Sequence, residues 1–267
     1  GLGGSVVLMA WFDAGEYLAL AAQHRATHSM LVAIQFRRLL DHPDFEHSDL
    51  SSLQHKFSAG APFAAELRAE VLRRWPGELT EYYGMTEGGG RTELQAHRFA
   101  DKLHTIGRPS AGNDIRLIDE AGRELPPHET GEIVGHSATM MNGYHGLPQQ
   151  SREAEWFDAG GKRFIRTGDV GRFDADGFLV LMDRRKDMVI SGGFNLYPCD
   201  LEAVLVQHPE VADAAVVGVP SQRWGETPVA FVVPRAGATT TEAGLRSWAN
   251  ERLGKSQRLA ELQFIDH

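Results

Sequence analysis

Asp169, the charged run from Asp183 to Asp187 and the glycine pair Gly192 and Gly193 fall within one stretch, RTGDVGRFDADGFLVLMDRRKDMVISGGFNLYP, running from Arg166 to Pro198. A carboxylate held at a strand end can accept hydrogen bonds from a ribose diol. Asp169 follows an apolar-edged segment suited to hold it there. Arg184, Arg185 and Lys186 bring local positive charge, and adjacent glycines allow another molecule to approach the backbone closely. An acid, a basic hinge and a glycine turn in that order suggest a nucleotide site closed by a mobile lid. The bland readings are that Asp169 caps a turn and that the charged run is a solvated face.

The elements that must position these groups are legible around them. Gly171 to Asp174 and Phe178 to Leu181 flank Ala175, Asp176 and Gly177, and an Asp-Gly pair supplies the positive φ of a tight hairpin. Upstream, Asp13 and Glu16 form a capping-box pattern ahead of Leu18, Ala21 and Ala22. Phe63 to Trp75 carries apolar residues at helical spacing and stops at Pro76 and Gly77. Strand-like and helical runs alternate up to about Thr105, which is α/β organisation. From about Ile106, short strands such as Ile115 to Ile118 and Glu132 to Val134 alternate with turns at Asp119 to Gly122 and Asn142 to Gly143. Beyond Lys186 the pattern predicts a strand at 188–190, a helix at 201–208, strands at 214–219 and 229–233, and a helix at 242–253. Pro198 sits where a first helical turn tolerates it. The expected fold is therefore an α/β and α+β multidomain chain: a partial α/β domain over 1–105, a small β-rich subdomain over 106–185, and a compact α+β lid over 186–267.

Composition narrows the function classes. The chain has 267 residues, of which 42% are hydrophobic and 24% charged, with a net charge of -9. That balance is wrong for a nucleic-acid backbone binder, which needs clustered Lys and Arg. No apolar run is long enough to span a membrane, and the first residues lack the basic region of a signal peptide. A cytoplasmic location is the expectation. The one cysteine, Cys199, excludes an internal disulfide and cysteine-rich zinc sites. His24 and His28 stand four apart, a helical spacing, but without the Glu of an HExxH zinc motif. His28 is placed by position at the border of a binding pocket.

Ser58 to Pro62, Glu81 to Glu87, Thr167 to Asp169, the run around Arg184 and Lys186, and Ser191 to Pro198 together resemble the ordered motifs of the adenylate-forming enzymes. That superfamily contains acyl-CoA synthetases, luciferases and peptide-synthetase adenylation domains. The resemblance implies a nucleotide site built from Gly60, Ala61, Pro62, Glu81, Tyr82, Tyr83, Gly84, Met85, Thr86, Asp169 and Arg184. Within it Tyr83 stacks on adenine, Gly60 to Pro62 form a narrow wall, and Asp169 and Arg184 hold the ribose. Thr86 and Glu87 are the expected catalytic residues, with Glu87 also the metal ligand for Mg2+. Lys186 is the expected hinge, and Gly192 and Gly193 the expected coenzyme A contacts. Taken without the motif, one of Tyr82 and Tyr83 would pack inward, and Glu87 would be a surface acid. Gly88 to Gly90 read equally as a tunnel lining or a flexible turn. Asp183 stands where the family usually has Gly.

The resemblance implies an ATP-dependent acid–CoA ligase. A carboxylate would attack the α-phosphate of ATP, and coenzyme A would displace AMP. The Gly193-Phe194-Asn195 string is similar to that of medium- and long-chain fatty acyl-CoA ligases, so fatty acids are the favoured substrates. The family's phosphate loop and terminal catalytic Lys have no counterpart here: Lys56, Lys102, Lys162, Lys186 and Lys255 all lack the matching context. The chain is expected to make no acyl-adenylate alone. A carrier-protein thiol in place of coenzyme A, or a non-catalytic nucleotide-binding module, are the other readings.

Overall fold

A computed structural model describes residues 3–126, 128–184, 188–192 and 194–266, without the side chains of Asp183, Arg184 and Asn195. The chain divides into two compact units: residues 1–167 with 172–181, and residues 168–171 with 182–267.

The first unit begins with α1 (Ala14–Gln23), β1 (His28–Leu31), α2 (Ala33–Leu40), β2 (His55–Ala59), α3 (Ala65–Arg74) and β3 (Glu78–Gly84). β1, β2 and β3 pair in parallel, because each return passes through a helix. β4 (Arg91–Gln95) adds antiparallel to β3 and β5 (Arg108–Pro109) to β4, giving the order β1-β2-β3-β4-β5. Asp13 caps α1 as its sequence predicts, its carboxylate accepting the Glu16 amide at 2.8 Å. Phe63, Leu67, Val71 and Trp75 are all buried, so the apolar spacing read at 63–75 is one face of α3 and its flanks. Each such side chain contributes about 1.5–3 kcal/mol when fully buried. Trp75 gathers Tyr17, Phe36 and Phe45 edge-on at 5.5–6.1 Å. The histidine spacing of four fails as a helical pair, because α1 ends at Gln23 and His28 opens β1.

Alternation along the strands gives the sheet two unlike faces. Leu31, Lys56, Ser58, Leu79 and Glu81 are buried. His28, His55, Phe57 and Tyr82 sit on the other face, their rings stacked at 4.3–6.4 Å. Lys56 is fully buried, and its ammonium donates to the carbonyl oxygens of Pro76 at 2.5 Å and Gly77 at 2.8 Å, just past α3. Burial pulls its pKa down to about 8. Lys56→Met leaves those carbonyls without a partner and is expected to cost about 1–3 kcal/mol. The urea midpoint reads that loss, and an unmoved midpoint would remove Lys56 from the framework.

A second sheet follows, with β6 (Asp114–Ile118), β7 (Gly131–His136), a short α4 (Pro148–Glu153), β8 (Glu155–Phe157), β9 (Arg163–Phe173) and β10 (Leu179–Arg184). Its order is β10-β9-β7-β6, with β8 on β9. The hairpin read at 175–177 joins β9 to β10. The Asp174 carboxylate takes the amides of Asp176 and Phe178, and Gly177 has φ +78°.

The second unit holds β11 (Val189–Ser191), β12 (Phe194–Leu196), α5 (Pro198–Leu205), β13 (Val211–Ser221), β14 (Gly225–Pro234), α6 (Glu242–Arg252) and β15 (Glu261–Phe264). The order is β12-β11-β14-β13, with β15 parallel to β14. Leu201, Leu205, Leu245 and Ala249 of the helices pack on Val216, Ala230 and Val232. Pro198 takes the first helical position, so α5 opens three residues before the stretch predicted from periodicity. β12 and β15 have no counterpart in the sequence reading. Among the described residues no helix is long and apolar enough to cross a membrane.

Candidate functional site

A cavity of about 650 Å³ opens where β2 and β3 end. Gly60 lines it from the loop after β2; Tyr82, Tyr83, Gly84, Met85 and Thr86 line it from the end of β3. Gly60 adopts φ +84° with open space where a Cβ would stand, so its backbone conformation, not crowding, calls for glycine. Tyr82 and Tyr83 point to opposite faces of β3. Tyr82 lies parallel to Phe57 at 6.1 Å, and the Arg91 guanidinium sits 5.0 Å from its ring centre. Tyr83 packs against the cluster of Ile106, Ile115, Leu117, Ile133 and Leu179 while still lining the cavity. Both readings of the tyrosine pair thus have a physical footing.

The opposite wall comes from Ala111 to Asn113 and from Ser137 to Thr139. It is joined to the glycine run after Thr86 by close backbone contact. Ser137 donates its hydroxyl to Gly88 O at 2.9 Å, and the Met141 amide donates to Glu87 O at 2.8 Å. A Cβ on Gly88 would stand 2.5 Å from Thr139 O, and one on Gly135 would stand 1.7 Å from Gly89 O. Gly88 and Gly90 do line the cavity, but the run is a packed seam and not a flexible turn.

The other expected residues are distributed differently. Glu81 does not reach the cavity. It lies 4% exposed beneath the sheet, paired with Arg68 of α3, whose guanidinium also donates to the carbonyls of Leu103 and Thr105. Glu81 shares the inward face with Leu79 and Tyr83 but lies further from the end of β3, beneath the sheet, while Tyr83 stands at the strand end that opens into the cavity. Burial pushes its carboxyl up to about 7, the Arg68 charge opposing that only in part. Ala61 and Pro62 continue the Gly60 loop, exposed and outside the lining. Glu87 also lies outside the lining, and its carboxylate accepts the Tyr144 hydroxyl at 3.0 Å. Desolvation, then Glu87, holds the Tyr144 hydroxyl above its ordinary range. His28 is stacked on His55 and Phe57, not in the cavity wall. No cluster of three or more metal-ligating side chains occurs among the described residues.

In the second unit, Asp169 is half-buried in β9, and Gly192 has φ +57° with Trp224 2.9 Å from where its Cβ would lie. Arg184 ends β10, its side chain outside the described residues, as are Lys186 and Gly193 altogether. Sequence reasoning missed Arg91 and the wall at 111–113 and 137–139. The turn residues Ser110 to Asn113 gave a local signal; nothing local marked Ser137 to Thr139.

The AMP-binding enzyme family matches residues 1–145, and the AMP-binding enzyme C-terminal domain matches residues 200–267. A feruloyl-CoA synthase of an Amycolatopsis species is 37% identical over 268 residues, covering 99% of this chain and 53% of that protein. A medium/long-chain-fatty-acid–CoA ligase of Mycobacterium tuberculosis is 36% identical over 251 residues, covering 93% and 43%. The structure of the amide bond synthetase McbA from Marinactinospora thermotolerans superposes with TM-score 0.89 at 34% identity, covering 99% of this chain and 53% of that one. The chain thus spans about half the length of the curated relatives it matches. Matched at both ends in sequence and over nearly its whole length in fold, the chain belongs to the AMP-binding enzyme family.

Proposed function

We propose that the protein this chain comes from is an ATP-dependent acid–thiol ligase, with coenzyme A as the acceptor. The observation that carries the reading is the cavity at the ends of β2 and β3, where Tyr83, Thr86 and the Gly60 backbone converge. In the first half-reaction a substrate carboxylate attacks the α-phosphate of ATP, and the bond to pyrophosphate breaks. In the second, a thiolate attacks the acyl carbon and AMP leaves. The protein contributes position and charge stabilisation. Tyr83 offers an aromatic face to adenine, and the loop that turns at Gly60 brings its backbone to the base. Thr86 directs a hydroxyl at the α-phosphate. Glu87 suits a magnesium ion, since one carboxylate with phosphate oxygens and water meets that ion's usual needs, and the ion would neutralise phosphate charge. Asp169 and Arg184 are assigned to the ribose hydroxyls. Lys186 is assigned to the hinge of lid rotation, and Gly192 and Gly193 to the pantetheine arm.

The acid is the finer point. The similar proteins are named for feruloyl and for fatty acyl substrates, which keeps aryl acids beside the fatty acids that the Gly193-Phe194-Asn195 string favours. Coenzyme A as acceptor is supported by those same names. AMP titrated into the 267-residue chain tests the site. Amide signals of Gly60, Gly84 and Gly88 should move, and Tyr83→Ala should weaken binding about tenfold, the usual worth of base stacking. Signal changes confined to a surface away from these residues would overturn the assignment.

A further inference from the structure

We propose that Arg91 selects carboxylic acids carrying a second anionic or strongly accepting oxygen at the end remote from the reacting carboxylate, an inference that rests on the ligase reading above. Among the described residues that line the cavity, Arg91 is the one charged side chain. Several arginines of this unit are neutralised, among them Arg68 by Glu81, Arg74 by Glu46 and Glu70, Arg116 by Asp114, and Arg166 by Glu132, whereas Arg38 and Arg108 lie over aromatic rings away from the cavity. Arg91 instead lies over the Tyr82 ring, and Glu93, two residues on, is hydrogen-bonded to Gln95. Arg91 is exposed, so its donors are open to a ligand oxygen that enters this cavity.

Register decides which ligand. Arg91 pairs with Gly84 and Thr92 with Tyr83 across the β3–β4 ladder. Directly opposed residues share a face, so Arg91 stands on the side of Gly84 and Tyr82. Tyr83, assigned to adenine, and the buried Thr92 stand on the other. The guanidinium is thus on the face of the strand opposite the one assigned to the base, which leaves that face to the acid. Gly84 opposite has no side chain to cover it. A guanidinium lying over a ring keeps its planar fork of donors, which matches a carboxylate bidentately. Tyr82, Met85 and Ala138 of the lining give apolar surface for an aryl or alkyl spacer between the two ends of such an acid.

The test is acid-dependent pyrophosphate release by the full-length protein with matched acids: para-carboxy, para-hydroxy and unsubstituted cinnamic acid, and suberic beside octanoic acid. The distal oxygen is expected to raise kcat/KM about tenfold or more, since polar groups left unpaired discriminate strongly. Arg91→Met should erase that ratio, Arg91→Lys should keep part of it, and Arg91→Glu should shift preference to a para-aminomethyl cinnamic acid. A ratio near one in the unaltered protein, unchanged by Arg91→Met, overturns the inference and leaves the ligase reading standing. Arg91→Met weakening AMP binding as strongly as acid use would assign the guanidinium to phosphate and overturn it too. No release with any acid overturns both.

Discussion

Replacing Arg68 with alanine is expected to destabilise the first unit by about 3–5 kcal/mol, the usual cost of removing one partner of a buried ion pair. Arg68 is 3% exposed, and its guanidinium ties α3 to Glu81 of β3 and to the carbonyls of Leu103 and Thr105. Alanine leaves a carboxylate and two carbonyls buried with nothing to replace the donors. Glu81→Gln should cost far less, because an amide oxygen still accepts from Arg68. The two variants also separate in pH dependence. Burial pushes the Glu81 carboxyl from its ordinary 4.5 up to about 7, so the folded chain holds a proton that the unfolded chain has released between those values. Stability from this group is greatest below pH 4.5 and falls as pH rises towards 7. Glu81→Gln removes that slope. Urea unfolding followed by tryptophan fluorescence across this range measures both effects. Identical slopes in the two proteins would show that Glu81 is not the group responsible.

Gly135→Ala is expected to be nearly as costly, about 3 kcal/mol, and to damage the site as well. An added Cβ would stand 1.7 Å from Gly89 O and 2.3 Å from Gly89 C, and both are backbone atoms with no rotamer to turn away. β7 and the glycine run must separate, an overpacking strain of the costly kind. Because Gly88 and Gly90 line the cavity, the separation should also weaken AMP binding at least tenfold. Gly112→Ala is the control. Gly112 has φ +77° but nothing within 4 Å of its Cβ position, so the cost should be only the backbone penalty of about 1 kcal/mol. If the two variants unfold together, the close seam between Gly89 and Gly135 is not a determinant of the fold.

These two features also mark where sequence reading stops. Helix α3 was legible because Phe63, Leu67, Val71 and Trp75 repeat at the period of the element that buries them. The β9–β10 hairpin was legible because Asp174 and Gly177 carry their turn chemistry locally. Tyr82, Tyr83, Gly84, Met85 and Thr86 were read from one contiguous string, and the chain brings all five to one cavity. Glu81 belongs to the same string but lies deeper along β3, beneath the sheet, and only its partner Arg68, from a different element, makes that visible. The seam at Gly135, the far wall at Ser137 to Thr139, and β15 depend on pairing with segments distant in sequence. Such contacts leave little local pattern. The lysine at position 56 had no matching motif, and its role became visible only with the carbonyls of Pro76 and Gly77 around it.

The most direct test of the ligase assignment is pyrophosphate release by the full-length protein with ATP, magnesium and a panel of aryl and fatty carboxylic acids, each with and without coenzyme A. The expected result is release that requires an acid and becomes continuous turnover when coenzyme A is present. Absence of acid-dependent release across the panel, with AMP still bound, would contradict the ligase and leave a nucleotide-binding module in its place.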